Sequence, residues 1–408
     1  MSSTPPASVP FAAHPEAELL LCCARTRLLP ETGERIRTLL QGNLDWKYVL
    51  QAARLHRILP LLYWHLHTHF IDEIPEGVLA RLKEDFYANA AQNLFLTSEL
   101  LRLLGLLREH GISAVPFKGL ALAAAVYGDT SLRPAGDLDL MLHKHDVLRA
   151  RDVLLSAGYQ RQFPFSAARE AAQLRASHQY GFVREDGRVL VELQWGVTVD
   201  FLPSPLDVQG LWTRLRSVSL GGTSVPTLAP EDLLLLLCVH GTKHCWSRLA
   251  WICDVAELLR MYPELEWKWV VDQARARGGR RMLFLGLLLA HDLLDAPLPA
   301  QLTESVQRDR QARVLAREVR GLLFPGAHEL IGGLHPAAEY RIPFNLRSRE
   351  RLRDKARCFI GLTLHLSAPR AGDKARPPLP RSLTFLRYCL WPIRLLRKYG
   401  LTRSHSQQ

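Results

Sequence analysis

A chain of 408 residues, of which 48% are hydrophobic and 23% charged, has the composition of a globular protein and is long enough for two or three domains. Its longest apolar runs, 233–239 and 282–290, are far shorter than the roughly 18 residues that a membrane-spanning helix needs. We therefore predict no membrane-spanning helix. The net charge of +12 is local: residues 341–408 hold 16 Lys and Arg and 3 Asp and Glu, which leaves 36 basic and 37 acidic residues before them. The first 340 residues therefore carry a net charge of −1, which does not favour a nucleic acid as partner.

The N-terminal residues and the cysteines both indicate a cytoplasmic protein. No basic segment followed by an apolar one occurs in the first residues, so we expect no signal peptide. The 7 cysteines show no repeated spacing, which is typical of free thiols in a reducing compartment rather than of a disulfide framework.

Residues 1–110 are predicted to form a helical N-terminal region. Over 76–110 apolar residues recur at intervals of three and four, which is typical of one long helix, and Gly111 suits the position after its end. The period changes at Ile112, where 112–117 indicates a strand that leads into a short helix over 121–127.

Residues 111–228 are predicted to form a small α/β core. An apolar strand carries Asp137 and Asp139, and a helix over 146–157 ends at Gly158. Two strands, 178–183 and 188–195, flank a turn that contains Asp-Gly and therefore favour a β-hairpin.

Helices return in residues 229–340, which we predict to be a helical C-terminal domain. The predicted helices cover 231–246, 249–261, 267–276 and 281–294. The expected fold class is therefore α+β, with a small mixed sheet and its helices flanked by helical N- and C-terminal regions.

Residues 341–408 are predicted to form a basic tail. The basic run 346–357 is typical of a solvated helix face, and 368–380 has the composition of a linker. Segment 383–401 mixes aromatic residues and leucines with Arg and Lys, which suits an amphipathic helix in peripheral contact with an anionic membrane. A helix that docks back onto the protein is the alternative.

Three carboxylates form a candidate metal site. Asp137 and Asp139 are two residues apart in a strand, so both side chains face the same way. Glu192 is the one acid in the apolar strand 188–195, and a buried carboxylate must be paired or bind a metal. Three such groups on neighbouring strands suit Mg²⁺. Alternatively, the aspartates face solvent at the end of an edge strand, and Glu192 pairs with Arg184 across the hairpin.

A second cluster, His240, Lys243 and His244, lies on one helix face at i, i+3 and i+4. The cluster either lines a cleft that faces the sheet or serves helix packing. A zinc site with Cys245 and Cys253 is the third interpretation, but no CxxC pair or HExxH glutamate supports it.

The sequence also suggests roles for an aspartate and two tryptophans near this cluster. Asp254 could orient one of the two histidines, as carboxylates behind a binding site do. Trp246 and Trp251 are expected in the core rather than at a base-stacking surface.

Taken in chain order, the motifs resemble a known pattern. They are Lys118-Gly119, Tyr127, Arg133, Asp137-Leu138-Asp139, Glu192 with Trp195, and His240-x-x-Lys243-His244-x-Trp246. Over about residues 80–290 they resemble the uncharacterised nucleotidyltransferases, a branch of the polymerase-beta-like nucleotidyltransferase superfamily. Asp-x-Asp alone is a weak signal, and its order with Lys-Gly and the later glutamate is what makes the resemblance specific.

The resemblance implies transfer of a nucleotidyl group from an NTP to a hydroxyl or phosphate of a small-molecule, sugar or peptide acceptor, with Mg²⁺ or Mn²⁺ as cofactor. It implies that Asp137, Asp139 and Glu192 are the catalytic metal ligands. The nucleotide- and phosphate-binding residues would be Lys118, Gly119, Arg133, His240, Lys243 and His244.

Two positions depart from the patterns that these relatives share. The wider superfamily usually has Gly-Ser at the turn, where the hydroxyl and backbone N–H groups hold the triphosphate at a helix start, and this chain has Lys118-Gly119. Gln194 stands where the branch often has His. The alternatives are therefore a weakly active or inactive nucleotide-binding regulatory protein on the same fold, and a basic membrane- or nucleic-acid-associated protein whose Asp-x-Asp is incidental.

Overall fold

The computed structural model describes residues 14–162, 174, 177–197, 206–324 and 338–367. The predicted linker 368–380 and the predicted amphipathic segment 383–401 lie outside the described residues. Within the described ranges, no helix has both the length and the apolar character needed to cross a membrane. The six cysteines that these ranges contain are all free thiols.

Five helices form the N-terminal region. They are α1 (Pro15–Cys23), α2 (Pro30–Leu40), α3 (Trp46–Leu55), α4 (Leu59–His69) and α5 (Glu76–Glu109). Helices α1, α2 and α4 have a proline in the first two positions, where the missing N–H has no intrahelical partner to lose. The predicted long helix is confirmed, and Gly111 follows its end with φ of +67°.

A mixed five-stranded sheet forms the middle of the chain, with strand order β1-β2-β5-β4-β3. The strands are β1 (Ala114–Pro116), β2 (Leu138–Leu142), β3 (Tyr159–Arg161), β4 (Gln179–Arg184) and β5 (Leu190–Gln194). Strands β2 and β5 are parallel, and the other neighbouring pairs are antiparallel. The hairpin prediction is confirmed by the β4–β5 pair, in which Val183 lies opposite Leu190.

The helix between β1 and β2 differs from its prediction. It begins at Gly119 as α6 (Gly119–Leu122) and widens into a π-helix over Ala123–Tyr127. Its first residue therefore follows Lys118 directly. The next helix, α7 (Val147–Ser156), is confirmed, and Gly158 after it has φ of +83°.

A second sheet was not predicted. After the short helix α8 (Val208–Leu211), strands β6 (Arg216–Leu220) and β7 (Thr223–Thr227) pair antiparallel. The turn between them is Gly221-Gly222, and both glycines have positive φ, as a two-residue hairpin turn requires.

Helices make up the rest of the described chain. They are α9 (Pro230–Lys243), α10 (Leu249–Met261), α11 (Trp267–Ala276), α12 (Arg280–Leu294), α13 (Ala300–Arg308), α14 (Arg310–Leu323), α15 (Ala338–Arg347) and α16 (Leu352–Ser367). Together with the small sheet they confirm the α+β class with helical flanks.

Helix α9 ends before its predicted end at residue 246. Cys245 and Trp246 take left-handed backbone conformations, with φ of +56° and +51°, and the Trp246 ring folds back over Gly241. A Cβ at Gly241 would lie 2.5 Å from that ring, so the fold-back needs a glycine there.

Two hydrophobic cores hold the chain together. The first joins N-terminal helices to C-terminal ones, with Leu62 on one side and Ile252 and Leu285 on the other. The second packs α5 and α7 against the five-stranded sheet, through residues such as Leu103 and Phe182. Helices from both ends of the chain thus share one core, while the domain boundaries at 110, 228 and 340 stay predictions.

The basic run 346–357 packs onto the helices that precede it. Arg347 donates to both carboxylate oxygens of Glu318, at 2.6 and 2.7 Å, and Arg351 donates to the carbonyl of Ala276 at 3.0 Å. Arg349 is only 1% exposed. Interpreting the run as a solvated helix face is therefore wrong for these three arginines, because their side chains bind the protein itself.

Candidate functional site

The three carboxylates meet in the middle of the five-stranded sheet. Asp137 immediately precedes β2, and Asp139 within β2 lies opposite Glu192 of the parallel strand β5. One oxygen from each of the three lies within 4.8 Å of the other two. The edge-strand alternative is wrong, because β2 lies between β1 and β5.

Burial and mutual repulsion perturb these carboxylates. Burial raises the pKa of Asp139, and the neighbouring Asp137 raises it further, against the opposing effect of Lys118. Burial also raises the pKa of Glu192, with Asp139 and Asp137 acting in the same direction. Hard oxygen ligands this close together fit a divalent cation such as Mg²⁺, which would relieve the repulsion.

Two glutamine amides donate hydrogen bonds to the carboxylates. The Nε2 atom of Gln194 donates to Oδ1 of Asp139 and, at 3.0 Å, to Oε2 of Glu192. Gln179 donates to the other oxygen of Glu192 at 3.1 Å. The predicted alternative, pairing of Glu192 with Arg184, is wrong, because Arg184 binds Glu99 and Asp186.

The Lys118-Gly119 turn brings a charge to the carboxylates. The Nζ atom of Lys118 lies 3.5 Å from Oδ1 of Asp139, and the side chain makes no capping hydrogen bond to α6. Gly119 has φ of +53°, and a Cβ there would lie 3.4 Å from the carbonyl oxygen of Asp137. The turn thus needs the conformational freedom of glycine to pass so close to the Asp-x-Asp strand.

Asp254 binds Arg133 rather than a histidine. The Nε and Nη2 atoms of Arg133 donate to the two oxygens of Asp254 at 2.7 and 2.9 Å, and its Nη1 donates to the carbonyl of Gly119 at 3.3 Å. Tyr127 donates to the same carboxylate at 2.7 Å. The interpretation that Asp254 orients a histidine is therefore wrong. One hydrogen on each terminal nitrogen of Arg133 remains available to a ligand.

Rings from the end of α9 and the start of α10 form one wall of the site. The ring centroid of Trp251 lies 5.4 Å from that of His240 and 5.2 Å from that of His244. Burial lowers the pKa of His244 to about 3 and that of His240 well below its usual value, so both are neutral at pH 7. Burial also lowers the pKa of Lys243, which lies on the same helix.

The zinc alternative and one of the two tryptophan predictions are wrong. Cys253 is fully buried and donates to the carbonyl of Ala24, so it does not face the histidines. Among the described residues, Asp137, Asp139 and Glu192 form the group with metal-ligand geometry. Trp246 is buried as expected, whereas Trp251 lines the site.

All nine residues predicted for the site line one cavity of about 300 Å³. They are Lys118, Gly119, Arg133, Asp137, Asp139, Glu192, His240, Lys243 and His244. The same cavity is also lined by residues that the sequence motifs did not indicate, among them Arg57, His178, Gln179 and Arg248. Of these, His178 and Gln179 had a local signal, since they begin the strand that pairs with the strand of Glu192.

His178 is a buried histidine with free nitrogens. It is 6% exposed, and neither ring nitrogen has a hydrogen-bond partner within the described part of the chain. Burial lowers its pKa to about 3, so the ring is neutral and offers one donor and one acceptor.

The comparison with protein families agrees with this geometry. A family model described as an uncharacterised nucleotidyltransferase matches residues 42–295, which is more than half of the chain. The match begins before the region of about 80–290 in which the motifs lie, and it includes helices α3 and α4. No curated protein matches the chain.

Proposed function

The chain belongs to the uncharacterised nucleotidyltransferase family, and from this we propose that it transfers a nucleotidyl group from a nucleoside triphosphate to a hydroxyl or phosphate of a small-molecule, sugar or peptide acceptor. Membership of the family makes the protein a nucleotidyltransferase. The observation that carries the proposal is the meeting of three carboxylates, one oxygen of each within 4.8 Å of the others, in a cavity that also holds Lys118 and Arg133.

Asp137, Asp139 and Glu192 would hold Mg²⁺ or Mn²⁺. Their donor set consists of hard oxygens, and the repulsion that raises the pKa of Asp139 and Glu192 favours a bound cation. When bound, the metal would supply charge stabilisation to the transferred phosphoryl group and to the oxygens on either side of it.

The remaining groups would bind and orient the two substrates. Lys118, 3.5 Å from Asp139, would neutralise phosphate charge as a point charge, and Arg133 would offer its two remaining hydrogens. His240, Lys243 and His244, which line the same cavity, would contact the nucleotide or the acceptor.

In the proposed reaction the acceptor oxygen attacks the α-phosphorus, and the bond to the departing pyrophosphate breaks. The proton of an acceptor hydroxyl would pass to Glu192, which lies within the group of carboxylates that would hold the metal. Positioning by these groups would supply much of the rate.

Pyrophosphate release tests the proposal. The full-length protein is incubated with each NTP, Mg²⁺ and cell extract as the source of acceptor, and we expect release with at least one NTP. Asp139→Asn keeps the shape of the side chain and removes its charge, so release should fall by about 100-fold or more. Asp152→Asn, an exposed carboxylate on α7, is the matched control and should leave release unchanged.

A regulatory nucleotide-binding protein on the same fold is the second candidate. It is favoured by the contacts of Lys118 and Gln194, which occupy carboxylate oxygens that a metal would use. Binding of Mg²⁺ and nucleotide without any release sensitive to Asp139→Asn would establish this function and exclude the transferase reaction.

A further inference from the structure

Two arginines without an assigned role, Arg57 and Arg248, line the cavity. In the described ranges neither guanidinium has a carboxylate partner, whereas the cavity arginine Arg133 pairs with Asp254 and the partly buried Arg214 pairs with Asp232. Burial lowers the pKa of Arg57, and the nearby charges of Arg248 and Arg133 lower it further. Two partly buried like charges are thus held close together, with Asp137 and Asp254 as the nearby opposing charges.

The backbone holds the two arginines close together. The Nδ1 atom of His56 accepts from the N–H of Leu249, and the carbonyl of His56 accepts from the N–H of Ala250, both at 3.1 Å. Arg57 follows His56 and Arg248 precedes Leu249, so these two hydrogen bonds join the corner between α3 and α4 to the start of α10 at the arginines themselves.

Arg57 itself is held in a costly conformation. Its φ of +59° is in the left-handed region, which non-glycine residues seldom adopt. Its guanidinium lies against Gly136, where a Cβ would come within 3.0 Å of Nη2. The backbone strain and this contact place the charge next to the loop that carries Asp137.

The pair lies on the Asp137 side of the carboxylates. The Nη2 atom of Arg57 lies against Gly136, the residue before Asp137, whereas Glu192 lies on the neighbouring strand β5. In an in-line displacement the attacking and leaving oxygens lie on opposite sides of the phosphorus. With the acceptor at Glu192, the leaving group would point toward Arg57 and Arg248, which line the same cavity.

We infer that Arg57 and Arg248 bind the β- and γ-phosphates of the nucleoside triphosphate and the pyrophosphate that departs. The inference rests on the proposed function. Guanidinium groups suit this ligand because their donors match phosphate oxygens two at a time. The start of α10 adds the positive end of a helix dipole on the same side. Arg57, between α3 and α4, would then contribute to the nucleotide site from the N-terminal region. This residue lies within the family match, which begins at residue 42.

Binding of inorganic tripolyphosphate tests the inference without knowledge of the preferred base. Calorimetric titration of the full-length protein in Mg²⁺ compares tripolyphosphate with adenosine monophosphate. Arg57→Gln and Arg248→Gln should each weaken tripolyphosphate binding about tenfold or more, because each removes a charge-assisted contact, and leave monophosphate binding unchanged. The tripolyphosphate affinity of Arg57→Lys should lie between that of the unsubstituted protein and that of Arg57→Gln, since lysine keeps the charge and loses the paired donors.

Arg54→Gln is the matched control. Arg54 lies on α3, three residues before Arg57, and pairs with Asp85 outside the cavity, so tripolyphosphate binding should not change. Thermal unfolding checks the fold of each variant. If Arg57→Gln unfolds, Arg248→Gln carries the test, because its side chain donates no hydrogen bond to the described protein.

Unchanged tripolyphosphate binding in both glutamine variants, or an equal loss of monophosphate binding, overturns the inference. Arginine-dependent tripolyphosphate binding without pyrophosphate release from any NTP supports the phosphate site and contradicts the proposed activity. Release sensitive to Asp139→Asn, with an NTP KM that neither arginine variant changes, supports the activity and overturns the phosphate site.

Discussion

One amide, that of Gln194, bridges two carboxylates of the site. Gln194 is 2% exposed, and its Nε2 atom donates to both Asp139 and Glu192, two carboxylates that repel each other. Without a metal, this donor partly compensates the repulsion, as buried anions require. A metal would do the same more strongly, so amide and cation stabilise the same pair of groups.

We therefore expect Gln194→Ala to destabilise the metal-free protein by roughly 1–3 kcal/mol, since two buried carboxylates lose a donor. Mg²⁺ should raise the unfolding free energy of this variant by more than it raises that of the unsubstituted protein, because the cation replaces the lost donor. Urea unfolding with and without Mg²⁺ measures both quantities. Gln160→Ala, exposed on the edge strand β3, is the control. Equal Mg²⁺ increments in the two proteins would contradict the role given to Gln194.

At the scale of elements, local patterns predicted what local physics determines. The boundaries of α10 and α11 agree with the predicted 249–261 and 267–276, because apolar periodicity and flanking turns act within a few residues. The end of α9 could not be predicted, since it depends on the ring of Trp246 folding onto Gly241. The β6–β7 hairpin has a local signal in Gly221-Gly222, whose positive φ values suit a two-residue turn.

In the candidate site, too, some residues could be predicted from local sequence patterns and others could not. Lys118, Asp137 and Glu192 could be predicted because each lies in or beside an apolar strand, where a charge needs an explanation. Arg57 and Arg248 could not, because each lies at the end of a helix whose position depends on contacts between residues nearly two hundred apart in the chain, such as that of His56 with Leu249.

The contact between His56 and α10 should depend on pH. Burial lowers the pKa of His56 to about 3, from 6.5 in an unfolded chain. As the pH falls below 6.5 the unfolded chain binds a proton that the folded protein does not. The contribution of the neutral His56 to the free energy of unfolding is therefore complete above pH 6.5. It falls by about 1.4 kcal/mol per pH unit as the pH is lowered toward 3.

His56→Asn should reduce this slope. Its Oδ1 atom can still accept from Leu249, but the side chain does not titrate, so the loss of unfolding free energy between pH 7.5 and 5.5 should shrink by about 1 kcal/mol. Urea unfolding at the two pH values measures the difference, and His110→Asn, an exposed histidine after α5, serves as control. A slope that His56→Asn leaves unchanged would show that this histidine is not held neutral.

At the scale of the whole molecule, the cavity depends on both ends of the described chain. The N-terminal helices contribute Arg57, the sheet contributes the carboxylates, and α9 and α10 contribute the ring wall. The N- and C-terminal helices share one hydrophobic core, so they stabilise each other while they position these groups. The site is thus a property of the assembled helices and sheet together.

Part of the excess positive charge lies beyond the described residues. Residues 381–408 contain six Lys and Arg and no Asp or Glu, and they follow the described residues, which end at 367. Basic residues near an anionic membrane surface contribute about 1 kcal/mol each, so this segment alone has the charge for peripheral membrane binding. The arginines of the run 346–357 that bind Glu318 and the end of α11 are not free for this purpose.

Removal of residues 381–408 should therefore abolish binding to vesicles of phosphatidylcholine and phosphatidylserine, measured by co-sedimentation, and leave the melting temperature and Mg²⁺-dependent tripolyphosphate binding unchanged. Arg353→Gln with Arg357→Gln removes two exposed charges before that segment and should change vesicle binding little. A truncated protein that still binds these vesicles would place the membrane contact elsewhere. DNA and an anionic membrane both attract the basic residues of this segment, but only a membrane also takes up its leucines and aromatic rings. If the full chain binds no vesicles, and the truncation abolishes binding to duplex DNA, the segment would instead be assigned to nucleic-acid binding.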